Sequence, residues 1–218
     1  MLEEKLDELK KKLVEEAGLA EDMVKKSIEG LIEKRKEILE KVIRGYESKM
    51  NKLEIELDEF CTNLIALYQP EAGNLRTILM ILKMNNDLER IGDLTVNISE
   101  SALFLIERPP VKPLIDIPRM AEETVNMLKN AVDSFINKDT KLAKSVCQKD
   151  TAVDNLRDQI LRELITYMSS DPSTIDRSIH LIRISRSIER IADLSTNICE
   201  DVIFMTEGRV IKHHKDEN

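Results

Sequence analysis

Tryptophan is absent, and aromatic residues make up only 3% of the chain. Proteins that hold single-stranded nucleic acid stack bases on aromatic platforms, so that class of partner is disfavoured. A formal charge of −8 likewise argues against a phosphate backbone and for cations or basic protein surfaces. Glycine and proline are scarce, at six each in 218 residues. With 34% charged and 42% hydrophobic residues, that scarcity favours long helices. Three cysteines, Cys61, Cys147 and Cys199, are an odd number for a disulfide framework and too widely spaced for a Cys-x-x-Cys site. They are read as buried thiols of a reducing compartment. No apolar run approaches the ~18 residues of a membrane span, and Met1-Leu-Glu-Glu-Lys5 lacks the apolar core of a signal peptide.

What is present is a duplicated word. Leu88-Glu-Arg-Ile-Gly-Asp-Leu-Thr-Val-Asn-Ile-Ser-Glu100 returns as Ile188-Glu-Arg-Ile-Ala-Asp-Leu-Ser-Thr-Asn-Ile-Cys-Glu200, 100 residues later and without a gap. A repeat of this length defines an architecture. At about 100° per residue, Glu89, Asp93, Asn97 and Glu100 fall on one stripe of a helix, with Ile91, Leu94 and Ile98 on the opposite side. Glu189, Asp193, Asn197 and Glu200 repeat that stripe. Carboxylates four apart on a helix repel. A solvated acidic face is the plain reading, and a hard cation bound by oxygen ligands is the functional one.

Helical spacing runs through residues 2–33, with Gly18 as a candidate bend and Lys34-Arg-Lys36 as a break. A second helix is expected over 37–68, with Leu53, Leu57, Phe60, Leu64 and Leu67 inward, and a third over 71–107 after Pro70. Arg108-Pro-Pro-Val-Lys-Pro113 cannot continue a helix. Three more helices are expected from Pro118 to Ile136, from a cap at Asp139 through Met168, and from Asp171-Pro172 to near Gly208. The expected fold is all-α, two tandem antiparallel three-helix bundles of six long helices related by an internal repeat. The bundles are placed at residues 1–108 and 114–210, with a Pro-rich junction at 109–113 and a frayed tail at 211–218.

Counting back from Pro172 and Pro70 sets a second pair of motifs against the word. Asp150 and Asp154 should face Glu189 and Asp193, and Glu47 and Asn51 should face Glu89 and Asp93. This convergence of oxygen ligands strengthens the cation reading. Because Asn51 carries no charge, the second unit is expected to bind metal more tightly. Asn97, Asn197, Glu100 and Glu200 are possible further ligands. Arg90 and Arg190 either pair with neighbouring carboxylates or face a partner. An enzyme is the rival reading, but di-iron bundles use Glu-x-x-His pairs, and no His here lies three residues after a Glu. His180 is read as a satisfied residue, no catalytic residue is assigned, and no Gly-rich phosphate loop is present. The remaining rival is a metal-free helical scaffold.

Glu-Arg-Ile-[Gly/Ala]-Asp-Leu-x-x-Asn-Ile in two copies closely resembles the PhoU family. Tyr68-Gln-Pro-Glu-Ala-Gly-Asn-Leu75 and the segment from Asn197 through Phe204 to Glu207-Gly208 share the likeness. The resemblance implies a cytoplasmic regulator, held at the inner face of the membrane through its partners. Those partners would be the ATPase subunit of the high-affinity phosphate ABC transporter and a phosphate-sensing histidine kinase, through which the starvation response is repressed. It further implies an iron or zinc cluster on Asp150, Asp154, Glu189 and Asp193, and on Glu89 and Asp93 in the first unit. The first unit departs from the family pattern at Glu47 and Asn51. The sequence leaves open the metal, a homodimer, and direct binding of phosphate.

Overall fold

A computed structural model describes residues 2–207. Helix α1 spans Leu2–Ile32. Helix α2, Lys36–Lys41, passes through a π-turn at Val42–Tyr46 into α3, Glu47–Tyr68, as one rod. Helix α4 is Ala72–Ile106, α5 is Asp116–Asn137 and α6 is Thr140–Ser170. A 3₁₀ turn at Pro172–Thr174 leads into α7, Ile175–Glu207. Helices α1, α2–α3 and α4 pack as one three-helix bundle, and α5, α6 and α7 as a second. The bundles join along α4 against α7 and α1 against α5, and one hydrophobic core runs through both.

The ends of the helices follow local chemistry. Lys34, Gln69 and Lys138 adopt left-handed backbone conformations that stop α1, α3 and α5. Asp139 Oδ1 accepts from the backbone N–H groups of Lys141 and Leu142, each at 3.0 Å, and so caps α6. Asp171 Oδ1 accepts from the Ser173 N–H at 3.0 Å beside Pro172. At the α1–α2 turn, a Cβ on Gly30 would stand 2.6 Å from Leu39 Cδ2, so only glycine admits this approach.

Some expectations change. Helix α1 passes Gly18 without interruption. Helix α5 begins at Asp116, two residues before Pro118, which the first turn tolerates because its missing N–H would have no partner there. Leu67, expected inward, is 77% exposed, because it lies in a last turn that reaches solvent. Met84, Met120 and Met127 are core residues, and Met80, Met168 and Met205 are half-buried. Cys61 and Cys199 are buried and Cys147 half-buried, all free. Cys147 and Cys199 meet across α6 and α7, and their hydrogen bond, with burial, raises the Cys199 thiol. The expected helix end at Gly208 and the tail at 211–218 lie outside the described residues.

The Pro-rich connection between α4 and α5 is pinned down. The Lys112 ammonium is buried, bonded to Asp116 at 2.8 Å and to Glu163 of α6. Arg177 of α7 donates to the Pro109 carbonyl at 2.8 Å. Lys112→Ala leaves the two carboxylates without their cation. It should cost about 2 kcal/mol, read as a lower urea midpoint at unchanged m.

Candidate metal centre

The word lies at the middle of α4 and of α7, where each helix is packed on two sides. Most of its apolar positions are therefore buried, Leu94 and Val96 being half-buried, and Glu89, Asp93, Glu189 and Asp193 emerge at the grooves beside α3 and α6. The stripes are not wholly at the surface. Glu89 and Glu189 are half-buried, and Asp150 is buried.

In the second bundle, Asp150 and Asp154 of α6 face Glu189 and Asp193 of α7. Burial raises the Glu189 carboxyl above the usual range, with Asp193, Asp154 and Asp150 adding to it and Arg157 opposing. Burial and then Asp154 raise Asp193, while Arg190 and Arg157 oppose. Arg157 is the group that holds this cluster together. Its guanidinium bonds Glu189 at 2.9 Å across the helices, approaches Asp154 at 3.5 Å, and meets Asp158 at 3.0 Å.

The first bundle differs. Asn85 of α4 is fully buried and donates to the Glu54 carbonyl at 3.0 Å and to Asp58 Oδ1 at 2.8 Å. This sets α4 level with Glu54 and Asp58 on α3. Glu89 is raised by burial, by Asp93 and by Glu54, against Arg90. Glu47 is half-buried at the start of α3, and Asn51 is exposed. The carboxylate of α3 acting on Glu89 is thus Glu54, where counting from Pro70 had set Glu47 and Asn51. The two inter-helix turns differ, Gln69–Glu71 in one bundle and a 3₁₀ turn in the other, so a count from each proline does not give the same level.

Helix α1 adds a further carboxyl. Glu16 is fully buried and neither of its oxygens has a hydrogen-bond partner. Burial, then Glu54, Asp58 and Glu89, push it up to about 9, so it is protonated at neutral pH. Its signal was legible, since Glu16 interrupts the apolar series Leu9, Leu13, Ala20, Met23. Glu54-x-x-x-Asp58 also has the spacing of the word itself.

Of the other candidates, Glu200 is half-buried and lies beside the Cys147–Cys199 pair. Asn197 is exposed. Asn97 and Glu100 line a cleft against α7. Arg90 and Arg190 are exposed and make no ion pair within 4.0 Å among the described residues, but Arg90 still acts on Asp87 and Glu89, and Arg190 on Asp193. His180 stacks on Phe104 with ring centroids 3.9 Å apart, and its Nδ1 has no partner, so it is not fully satisfied.

Among the described residues, no three His, Cys, Asp or Glu side chains converge closely enough to enclose a metal ion. The donor set of the second bundle nevertheless suits a hard cation in kind. It offers four carboxylates whose mutual repulsion is offset by one guanidinium, which holds the place of a positive charge.

The PhoU domain family model matches residues 13–102 and 117–202, once on each bundle. A phosphate-specific transport system accessory protein PhoU homolog of Aquifex aeolicus is 43% identical over 208 residues, covering 95% of this chain and 94% of that protein. The accessory protein PhoU of Escherichia coli is 30% identical over 208 residues, covering 95% and 86%. The crystal structure of PhoU from Pseudomonas aeruginosa superposes with a TM-score of 0.92 at 34% identity, covering 96% of this chain and all of that one. The word, its two copies on matching helices, and a likeness running the length of the chain place it in the PhoU family.

Proposed function

We propose that the chain is a regulator of phosphate homeostasis that modulates the high-affinity phosphate ABC transporter and, through a partner histidine kinase, represses the phosphate-starvation response. The observation that carries this reading is the near full-length likeness to accessory proteins of phosphate-specific transport. The chemistry of the site agrees with it. The clusters hold carboxylates and arginine, and the reading assigns regulation to protein contact. Among the described residues no helix is long and apolar enough to cross a membrane. The reading places the protein in the cytoplasm, at the membrane through the transporter's ATPase subunit.

Within this reading, iron or zinc would be held by Asp150, Asp154, Glu189 and Asp193, and in the first bundle by Glu89 and Asp93 with Glu54 or Glu47. A bound cation would supply positive charge that lets these carboxylates ionise together. Arg157 supplies that charge otherwise, and it must withdraw from Glu189 when a cation enters.

Three measurements test the reading. Deleting the gene should leave phosphate-responsive genes on in phosphate-rich medium, and the purified chain should retain the transporter's ATPase subunit on a column. Normal repression in the deletion strain would overturn the regulatory role. Elemental analysis of protein purified without chelator or affinity tag separates the metal-bearing regulator from a metal-free scaffold.

A further inference from the structure

Helices α4 and α7 run antiparallel, and the seam between them has two ends. At one end Lys83 of α4 bonds Asp201 of α7 at 2.5 Å, with Asp87 beside them. This end carries its own balance of charge, with Lys83 paired to Asp201 and both Arg90 and Lys83 acting on Asp87. The repeat builds the other end from the corresponding positions. Arg183 stands for Lys83, Ser187 for Asp87, and Ser101 for Asp201. Both carboxylates have become hydroxyls, and Arg186 adds a second guanidinium where the first end has Asn86.

This second end is a cleft of about 360 Å³ lined by Asn97, Glu100, Ser101, Arg183, Arg186 and Ser187. Neither guanidinium makes an ion pair among the described residues. Ser101 is only 5% exposed, and its hydroxyl has no protein partner among them, nor has that of Ser187. Both hydroxyls face the solvent of this cleft and are free to bond a ligand there. The surroundings are also cationic. Arg108 lies over the Phe104 ring at 3.5 Å, and Arg177 bonds only the carbonyls of Pro109 and Ser173. Arg183 and Arg108 both act on His180 beside the cleft, with Asp176 opposing them.

We propose that this cleft is a binding site for a tetrahedral oxyanion of the phosphate class, free or as a small monoester. Guanidinium forks match phosphate oxygens two at a time. Two forks and a hydroxyl come from α7, and a hydroxyl and the Asn97 amide from α4, a donor set with enough hydrogen bonds for the several oxygens of a tetrahedral anion. Glu100 stands at the exposed rim, where solvent screens it. The proposal rests on the seam alone and needs neither the transporter role nor the metal.

The test is calorimetric titration of the full chain with inorganic phosphate and, separately, glycerol phosphate, with sodium chloride at matched ionic strength as the control. The expected result is saturable one-site binding of at least one phosphate compound. Affinity should drop roughly tenfold or more in Arg183→Gln/Arg186→Gln and recover in part with lysine at both positions. Ser187→Asp, which restores a carboxylate of the other end, should abolish binding. Lys83→Gln should leave it unchanged. Which compound saturates identifies the source as free anion or ester. Non-saturable heats that follow ionic strength, or equal affinity in the double glutamine variant, would overturn the proposal. Because no transporter component is present in the assay, its failure would leave the regulatory reading untouched.

Discussion

Replacing Glu16 by methionine will stabilise the protein, and more so at alkaline pH. The Glu16 carboxyl is fully buried, its oxygens have no partner, and its folded-state value is about 9 against an ordinary 4.5. Below pH 4.5 the folded and unfolded chains both hold the proton. Between 4.5 and about 9 the unfolded chain releases it and the folded chain keeps it. Stability therefore falls across this window, by about 1.4 kcal/mol per pH unit, and levels off above it. At pH 7 the parent has lost about 3 kcal/mol by this route. Methionine fits the volume and brings no proton, so its melting temperature should rise by roughly 6–12 °C at pH 7 and by little at pH 5. Glu16→Gln should lose the pH slope but keep the unpartnered polar atoms. Thermal unfolding of the three proteins at pH 5, 7 and 8.5 checks this. An unchanged slope in the methionine variant would show that another group carries it.

Arg157→Met is expected to weaken the apo protein and to tighten metal binding. It removes the one guanidinium that joins Asp154 and Glu189, leaving four carboxylates facing one another across α6 and α7. The cost at pH 7 should be about 1–2 kcal/mol. Burial and mutual repulsion raise Glu189 and Asp193, so the folded state takes up protons more readily than the unfolded. The lost stability should therefore return as pH falls toward the carboxylate range. Zinc or ferrous ion should restore it at neutral pH, with affinity on the order of tenfold above the parent, because the guanidinium bonded to Glu189 no longer competes. Calorimetric titration of parent and variant decides the matter. Equal affinities would mean that metal does not enter beside Glu189. Arg157 also bears on the ranking of the two sites by carboxylate count. It offsets one carboxylate in the second bundle, while Glu54 adds one in the first.

The sequence disclosed the parts of this molecule that depend on periodicity. The duplicated word, the apolar spacing and the capping residues Asp139 and Asp171 required only local geometry, and they delivered six helices in two bundles. The facing of Asp150 and Asp154 toward Glu189 and Asp193 also followed, because the 3₁₀ turn at Pro172 makes a regular connection. What was not legible depends on three-dimensional level. The left-handed Gln69 and the turn after it set α4 against Glu54 rather than Glu47, and no residue count encodes that. Arg157 escaped notice because a long side chain reaches a neighbouring helix that its position does not name. Glu16 was visible as a break in an apolar series, but only α3 and α4 reveal the carboxylates around it.

The seam between α4 and α7 has a consequence for symmetry. Lys83 meets Asp201, and Ser101 lines the cleft with Arg183, so contacts pair residues that mirror one another about a common centre. Two identical bundles joined by this face would form an isologous pair about a two-fold axis. Every side chain at one end of such a pair must also stand at the other. A neutralised Lys–Asp end could then exist only together with a second one. Covalent fusion removes that constraint, because each half mutates alone. One continuous chain can therefore close one end of the seam with its own carboxylates and leave the other end open, which no homodimer of single bundles could do.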